Sequence, residues 1–199
     1  MLDYIRIACA VPDVSAGNVK KNCQDICAYM AQADEKNVDL LVFPELASTN
    51  DTARELARQG APDGTVIIAD HQTGGRGRRG RSFHSPSGSG IYMSVIMRPN
   101  CPPAELMHLT CAAAVAMCDA VENSCGIRPG IKWTNDLVCG KRKLGGILTE
   151  LGLTPRGMVD YAIIGIGINC TQHPEDFAED IRSIAGSLAM VTGQKIDIA

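Results

Sequence analysis

The sequence predicts an α+β fold in which a mixed β-sheet is backed by helices, with a short βαβ appendage at its start. Three observations predict it. Short apolar runs rich in β-formers recur at residues 4–10, 38–43, 65–69 and 91–97, and again beside Lys143-Leu144-Gly145-Gly146 and Gly165-Ile166-Gly167. Segments of helical periodicity stand between some of them, at 19–35, 51–59 and 104–123. The long stretch of Gly, Ser, Pro and Arg between the runs at 65–69 and 91–97 packs as neither regular element and is therefore a surface loop. The chain divides into residues 1–47 and residues 48–199.

The first division reads strand, helix, strand. Residues 4–10 are apolar, residues 19–35 place Ile26, Met30 and Ala33 on one side of a helix, and 38–43 forms a second apolar strand. In the second division, Ser48 or Asn50 can cap a helix over 51–59, which stops at Gly60 and Pro62. The strand at 91–97 and the helix at 104–123 are core by pattern. That helix is nearly all Ala, Met, Leu, Cys and Val and is expected to be buried on most faces. A last helix is expected over 181–192.

Composition sets limits. With 199 residues, 45% of them hydrophobic, the chain can bury one sizeable core or one domain plus an appendage. A net charge of −3 argues against a whole-protein nucleic-acid binder. No basic n-region precedes an apolar run, and no apolar stretch reads as long enough to span a bilayer, so a cytoplasmic location and no membrane partner are expected. The cysteines number nine, an odd count without a CxxC pair, which points to neither a disulfide framework nor a zinc site. Cys111, Cys118 and Cys125 recur every seven residues, a spacing that suits buried small residues better than ligands.

Chemistry concentrates in a few motifs. Gly75 to Gly80 read Gly-Arg-Gly-Arg-Arg-Gly; alone, such a run is a solvated basic turn, but long arginine-bearing loops over a rigid scaffold are commonly functional. Arginine's planar fork can hold a carboxylate or phosphate with paired hydrogen bonds, and the flanking glycines permit close approach. Downstream come Lys132-Trp133-Thr134-Asn135-Asp136, then Lys143-Leu144-Gly145-Gly146, then Gly165-Ile166-Gly167-Ile168-Asn169. Upstream, Ser48-Thr49-Asn50 opens a helix. As bare residues, Asn135 and Asp136 are ordinary turn formers and Lys143 a solvated edge lysine. Gly165-Ile166-Gly167 is too short for a dinucleotide fingerprint and reads as close backbone approach in a strand.

In this order, these five motifs resemble the catalytic domain of bacterial biotin protein ligases, which share a fold superfamily with lipoate protein ligases and class II aminoacyl-tRNA synthetases. The resemblance runs from Ser48 to about Val191. It implies an ATP-dependent ligase that activates biotin as biotinyl-5'-AMP and transfers it to a lysine of a biotin carboxyl carrier protein. By resemblance, Ser48, Thr49, Asn50, Gln72, Arg76, Gly77, Arg78 and Lys143 bind biotin, and Phe83, Asn135, Asp136 and Asn169 face the nucleotide. Lys143, Arg78 and Asp136 would serve the chemistry, with Arg79 and Arg81 as outer cations. Asp136 would orient Lys143 or a Mg²⁺ ion carried by the phosphates, with no metal site of the protein's own. Family members commonly have proline where this chain has Thr134, which is expected to loosen that turn. They also continue beyond the point where this chain stops. Some carry a winged helix that represses transcription, and its absence here leads to an expectation of no operator binding. The reading is therefore of a fragment or a fused gene product.

A second resemblance covers the start of the chain. Ile5-Arg6-Ile7-Ala8 and Phe43-Pro44-Glu45-Leu46 resemble the opening of the nitrilase-type glutaminase domain of NAD synthetases, in which the glutamate would be a general base. No later segment supplies the matching lysine and cysteine, so Glu45 reads as a strand-end carboxylate. Residues 40–46 could equally be the strand that precedes Ser-Thr-Asn in biotin ligases. Lipoate ligation, a carbon–nitrogen hydrolase fragment and an inactive ligand-binding fragment stand as alternatives.

Overall fold

The computed structural model describes residues 7–9, 40–99 and 101–198. Eight strands form one sheet: β1 (Ile7–Cys9), β2 (Leu40–Leu46), β3 (Val66–Gln72), β4 (Gly90–Met97), β5 (Gly130–Lys132), β6 (Asp136–Cys139), β7 (Arg142–Leu153) and β8 (Val159–Asn169). Their spatial order is β1-β2-β3-β4-β8-β7-β6-β5. The first two pairings are parallel and the remainder antiparallel, which makes the sheet mixed as expected. The helix expected over 19–35 lies outside the described residues. β2 is an inner strand whose Leu41, Phe43 and Leu46 are buried, so the sheet continues unbroken across residue 47.

Helices cover both faces. On one lies α1 (Thr49–Arg58), capped by the Ser48 side chain, which accepts from the Asp51 N–H. It buries Ala53, Leu56 and Ala57 against Phe43, Ile67, Ile96, Tyr161 and Ile163. On the other lies α2 (Leu109–Cys125), which packs Ala114, Cys118 and Val121 against Ile147, Ile164 and Ile168 of the long central strands. Period-two alternation along β8 sends odd residues to α1 and even residues to α2, and each large apolar side chain so buried contributes roughly 1.5–3 kcal/mol.

Four expectations need correction. α2 starts at Leu109, later than expected, because Pro102 and Pro103 divert the chain into a 3₁₀ turn over Pro103–Leu106. It is also not buried on most faces: only one stripe meets the sheet, and Val115 is 45% exposed on the far side. By length and composition the stretch Pro103–Cys125, with mean hydropathy 1.4, could cross a bilayer, contrary to the sequence reading, although here α2 lies along the sheet. Lastly, the helix expected over 181–192 is only α3 (Leu188–Thr192), capped by Ser187. The residues before it are drawn into the sheet edge, where the Lys143 N–H donates to the Ile184 carbonyl at 2.6 Å and the Gly186 N–H to the Lys143 carbonyl at 2.9 Å.

Candidate active site

On the α1 face of the sheet, two central positions carry no side chain. Gly165 pairs with Ser94 and Leu148, and Gly167 with Tyr92 and Gly146, leaving a floor of bare backbone along this part of β8. Neither glycine can be replaced without displacing a neighbour. A Cβ on Gly165 would stand 1.9 Å from Asn50 Oδ1, and one on Gly167 would stand 2.6 Å from the Phe83 ring. Above this floor opens a cleft bordered by both glycines.

Its lining brings together most of the residues picked out by sequence. Ser48, Thr49, Asn50, Gln72, Arg76, Gly77, Arg78, Phe83, Asn135 and Lys143 all border this one cleft. At one end the start of α1 supplies Thr49 and Asn50. The Gln72 Oε1 accepts from Thr49 N at 2.8 Å and from its hydroxyl at 3.2 Å. Ser94, fully buried on β4, donates toward Thr49 Oγ1 at 2.8 Å and Asn50 Oδ1 at 2.7 Å. Asn50 Nδ2 in turn donates to Glu150 Oε2 at 2.9 Å. This connected polar network fixes the side chains at the head of the cleft.

Two members of the network, Ser94 and Glu150, escaped the sequence reading. An alternating strand serine signals only which face it occupies, and no motif surrounds the glutamate. Glu150 also receives Arg54 at 2.9 Å and lies 3.4 Å from Arg76 Nη2. Burial opposes ionisation of Glu150, but the hydrogen bond from Asn50 and the charge of Arg54 outweigh it and hold its carboxyl below the ordinary range. Arg76, assigned to the ligand by resemblance, is therefore engaged at the loop base, where its Nη1 also donates to Asp51 at 2.6 Å.

At the other end, Lys143 projects from the start of β7, and its Nζ lies 2.6 Å from Asp136 Oδ1 on β6. The expected orienting contact is present. Arg78 reaches over from the Gly-Arg loop, its Nη1 donating to Thr134 Oγ1 at 2.8 Å and Asn135 Oδ1 at 2.7 Å. The turn holding Asn135 is not loose: Ile147 N donates to its carbonyl at 2.8 Å and its Nδ2 donates to the Ile147 carbonyl at 3.3 Å. The Trp133–Thr134 peptide is cis. Phe83 lies over Gly167 with its ring edge-to-face on Tyr92, centroids 6.3 Å apart. Asn169 departs from expectation. It is buried behind the cleft, donating to the Gly186 carbonyl at 2.9 Å, and does not border the opening.

Other groups fall outside the site. Glu45 lies near the end of β2, exposed, and its Oε2 is 2.8 Å from Nδ1 of the half-buried His71 on β3. Cys118 is buried in the core under α2, and burial raises the Cys170 thiol to about 11, so neither is a ready thiolate. Among the described residues no group of three His, Cys, Asp or Glu side chains is arranged to hold a metal. The single carboxylate at Lys143 does not amount to a Mg²⁺ cage.

The stretch of sequence that builds this cleft matches a known family. The model of the biotin/lipoate A/B protein ligase family fits residues 42–169. The chain belongs to that family. It is 46% identical over 160 residues to the Bifunctional ligase/repressor BirA of Bacillus subtilis, covering 80% of this chain and 49% of that protein. To the Biotin--[acetyl-CoA-carboxylase] ligase of Mycobacterium tuberculosis it is 36% identical over 148 residues, covering 72% of this chain and 53% of that one. Among solved structures, a biotin protein ligase from Aquifex aeolicus in complex with biotin and ATP superposes with a TM-score of 0.66 at 33% identity, covering 80% of this chain and 63% of that chain. The chain thus spans about half the length of the ligase sequences it matches. These relationships do not support the resemblance of the first residues to a glutaminase, and the family match itself begins inside β2.

Proposed function

We propose that this member of the biotin/lipoate ligase family condenses biotin with ATP to form biotinyl-5'-AMP and transfers the biotinyl group to a lysine of a biotin carboxyl carrier protein. The observation that carries this reading is the convergence of Arg78 and Lys143 on one cleft, opposite the Thr49, Asn50 and Gln72 end. A carboxylate and a triphosphate repel each other, so cations fixed between them lower the barrier as they approach. The polar end of the cleft suits the ureido ring of biotin, and the glycine floor accepts its flat body.

In the first step a biotin carboxylate oxygen attacks the α-phosphorus and pyrophosphate leaves. Lys143, steadied by Asp136, holds its positive charge at the meeting point of the two anions. Phe83 offers a ring face for adenine, and Asn135 a polar edge. Mg²⁺ would arrive bound to the triphosphate, with its charge countering that of the leaving pyrophosphate. In the second step the carrier's lysine amine attacks the acyl carbon, an amide bond forms, AMP leaves and the amine loses a proton to solvent. Arg78 and the Gly-Arg loop keep water from the mixed anhydride meanwhile.

Biotin rather than lipoate is the favoured acid because the Gly-Arg-Gly-Arg-Arg-Gly loop is intact. The similar proteins named above as biotin ligases favour this choice. The repressor role in the name of the Bacillus protein belongs to that protein. Isothermal titration with biotin, followed by ATP, tests the reading. Saturable binding of biotin and release of pyrophosphate on adding ATP support it, and binding of lipoate in preference to biotin would overturn it.

A further inference from the structure

Arg78 is anchored to two neighbouring residues of one turn. Its Nη1 donates to Thr134 Oγ1 at 2.8 Å and to Asn135 Oδ1 at 2.7 Å. Asn135 is pinned to β7 through the two backbone and side-chain bonds with Ile147. Thr134 sits on the same turn, half-buried, with its carbonyl 4.0 Å from the Cys111 sulfur on α2. The Gly-Arg loop is thus tied across the cleft to a turn that the sheet and α2 hold still. A residue without a hydroxyl at position 134 would leave Asn135 as the one acceptor of the two.

We infer that Thr134 is a positioning residue, its hydroxyl fixing the Arg78 guanidinium so that the loop stays closed over an acyl-adenylate. The inference rests on the ligase reading of the cleft. A guanidinium is a rigid fork, and two acceptors on one turn hold it in one orientation where a single acceptor lets it swing. Arg79, which follows in a left-handed conformation at φ 57°, turns the chain back immediately after Arg78. Fixing Arg78 therefore fixes the loop tip.

The test compares wild type with Thr134→Val, which keeps shape and removes the acceptor, and with Thr134→Ser, which restores it. Each is also made with Arg78→Ala. After loading with biotin and ATP, the dissociation rate of the adenylate is measured by dilution into excess unlabelled biotin. Thr134→Val should release adenylate roughly tenfold faster, the scale of one lost bond to a charged group, and Thr134→Ser should release it at nearly the wild-type rate. In the Arg78→Ala background, Thr134→Val should add nothing, because the two residues act through one bond. Release unchanged by Thr134→Val, or raised equally in both backgrounds, would overturn the inference. If wild type forms no adenylate, the ligase reading fails instead, and the latch is then read from subtilisin cleavage within residues 74–85. Faster cutting in Thr134→Val than in wild type and Thr134→Ser supports the latch, and equal cutting refutes it.

Discussion

Lys143 and Glu150 show how single residues acquire roles from their neighbours. Lys143 begins β7 beside Asp136, so its ammonium is held at 2.6 Å from a carboxylate rather than left to sample solvent. Lys143→Ala should cut the rate of adenylate formation by about 10²–10³, as expected for loss of a preorganised charge, while Arg78→Ala should act mainly on biotin retention. Single-turnover pyrophosphate release and biotin affinity separate the two effects; adenylate formed at the wild-type rate by Lys143→Ala would remove it from the chemistry. Glu150 is a pH prediction. Its carboxyl is held below its ordinary pKa by Asn50 and Arg54 against the opposing effect of burial. A depressed carboxylate pKa contributes stability above the unfolded value and loses it as pH falls through the folded one. The gap in urea midpoint between wild type and Glu150→Gln should therefore be full at neutral pH and close in acid, below the usual carboxylate range. A gap independent of pH would show that the ion cluster around Arg54 and Arg76 does not depend on that charge. Glu45 is the contrast: exposed, paired with His71 and absent from the cleft lining, it should tolerate Glu45→Gln with ligase activity within about twofold of wild type. Glutamine hydrolysis that disappears in this variant would reverse that assignment.

At the scale of elements, the Gly-Arg loop and β8 carry the site in opposite ways. The loop is long and mostly exposed, and ligands beneath it should hold it closed. Biotin and ATP together should protect residues 74–85 from limited proteolysis, and equal cleavage with and without them would rule it out as a lid. β8 works by omission. Its Gly165 leaves room for Asn50, whose oxygen would lie 1.9 Å from an added Cβ, so Gly165→Ala should destabilise the fold by about 1–3 kcal/mol in urea titration and weaken biotin binding at once. The element types were legible where local chemistry decides them. Ser48-Thr49-Asn50 before an apolar helix is a cap wherever it occurs, and the alternation of β4 is plain. Other boundaries were not local matters. The residues before α3 pattern as helix, but the Lys143 backbone offers them a donor and an acceptor, and they form sheet-edge bonds instead. Similarly, the uniform apolar surface of α2 suggested burial all round, whereas a helix on the outside of a single sheet has only one stripe to bury.

Across the whole molecule, the central fact is the meeting of distant segments on one glycine floor. Thr49, Arg78, Asn135 and Lys143 come from four separate stretches of chain and border a single cleft. That they meet in one site was readable from sequence because each stretch carries a motif in family order, and the mixed sheet followed from the same resemblance. What the sequence did not disclose is the cross-strand chemistry behind them. Ser94 and Glu150 become part of the site only because β4 and β7 flank β8, a pairing visible in three dimensions alone. Asn169 shows the reverse error, a strand-end polar residue at the expected place whose side chain turns back to Gly186. The account stands on one claim, that this cleft joins a carboxylic acid to the α-phosphate of ATP. Single-turnover pyrophosphate release by the chain, with and without biotin, tests it most directly. Release that requires biotin, and that falls about a hundredfold or more in Lys143→Ala, is the result the account predicts; release without biotin, or biotin-dependent release undiminished in that variant, would contradict it.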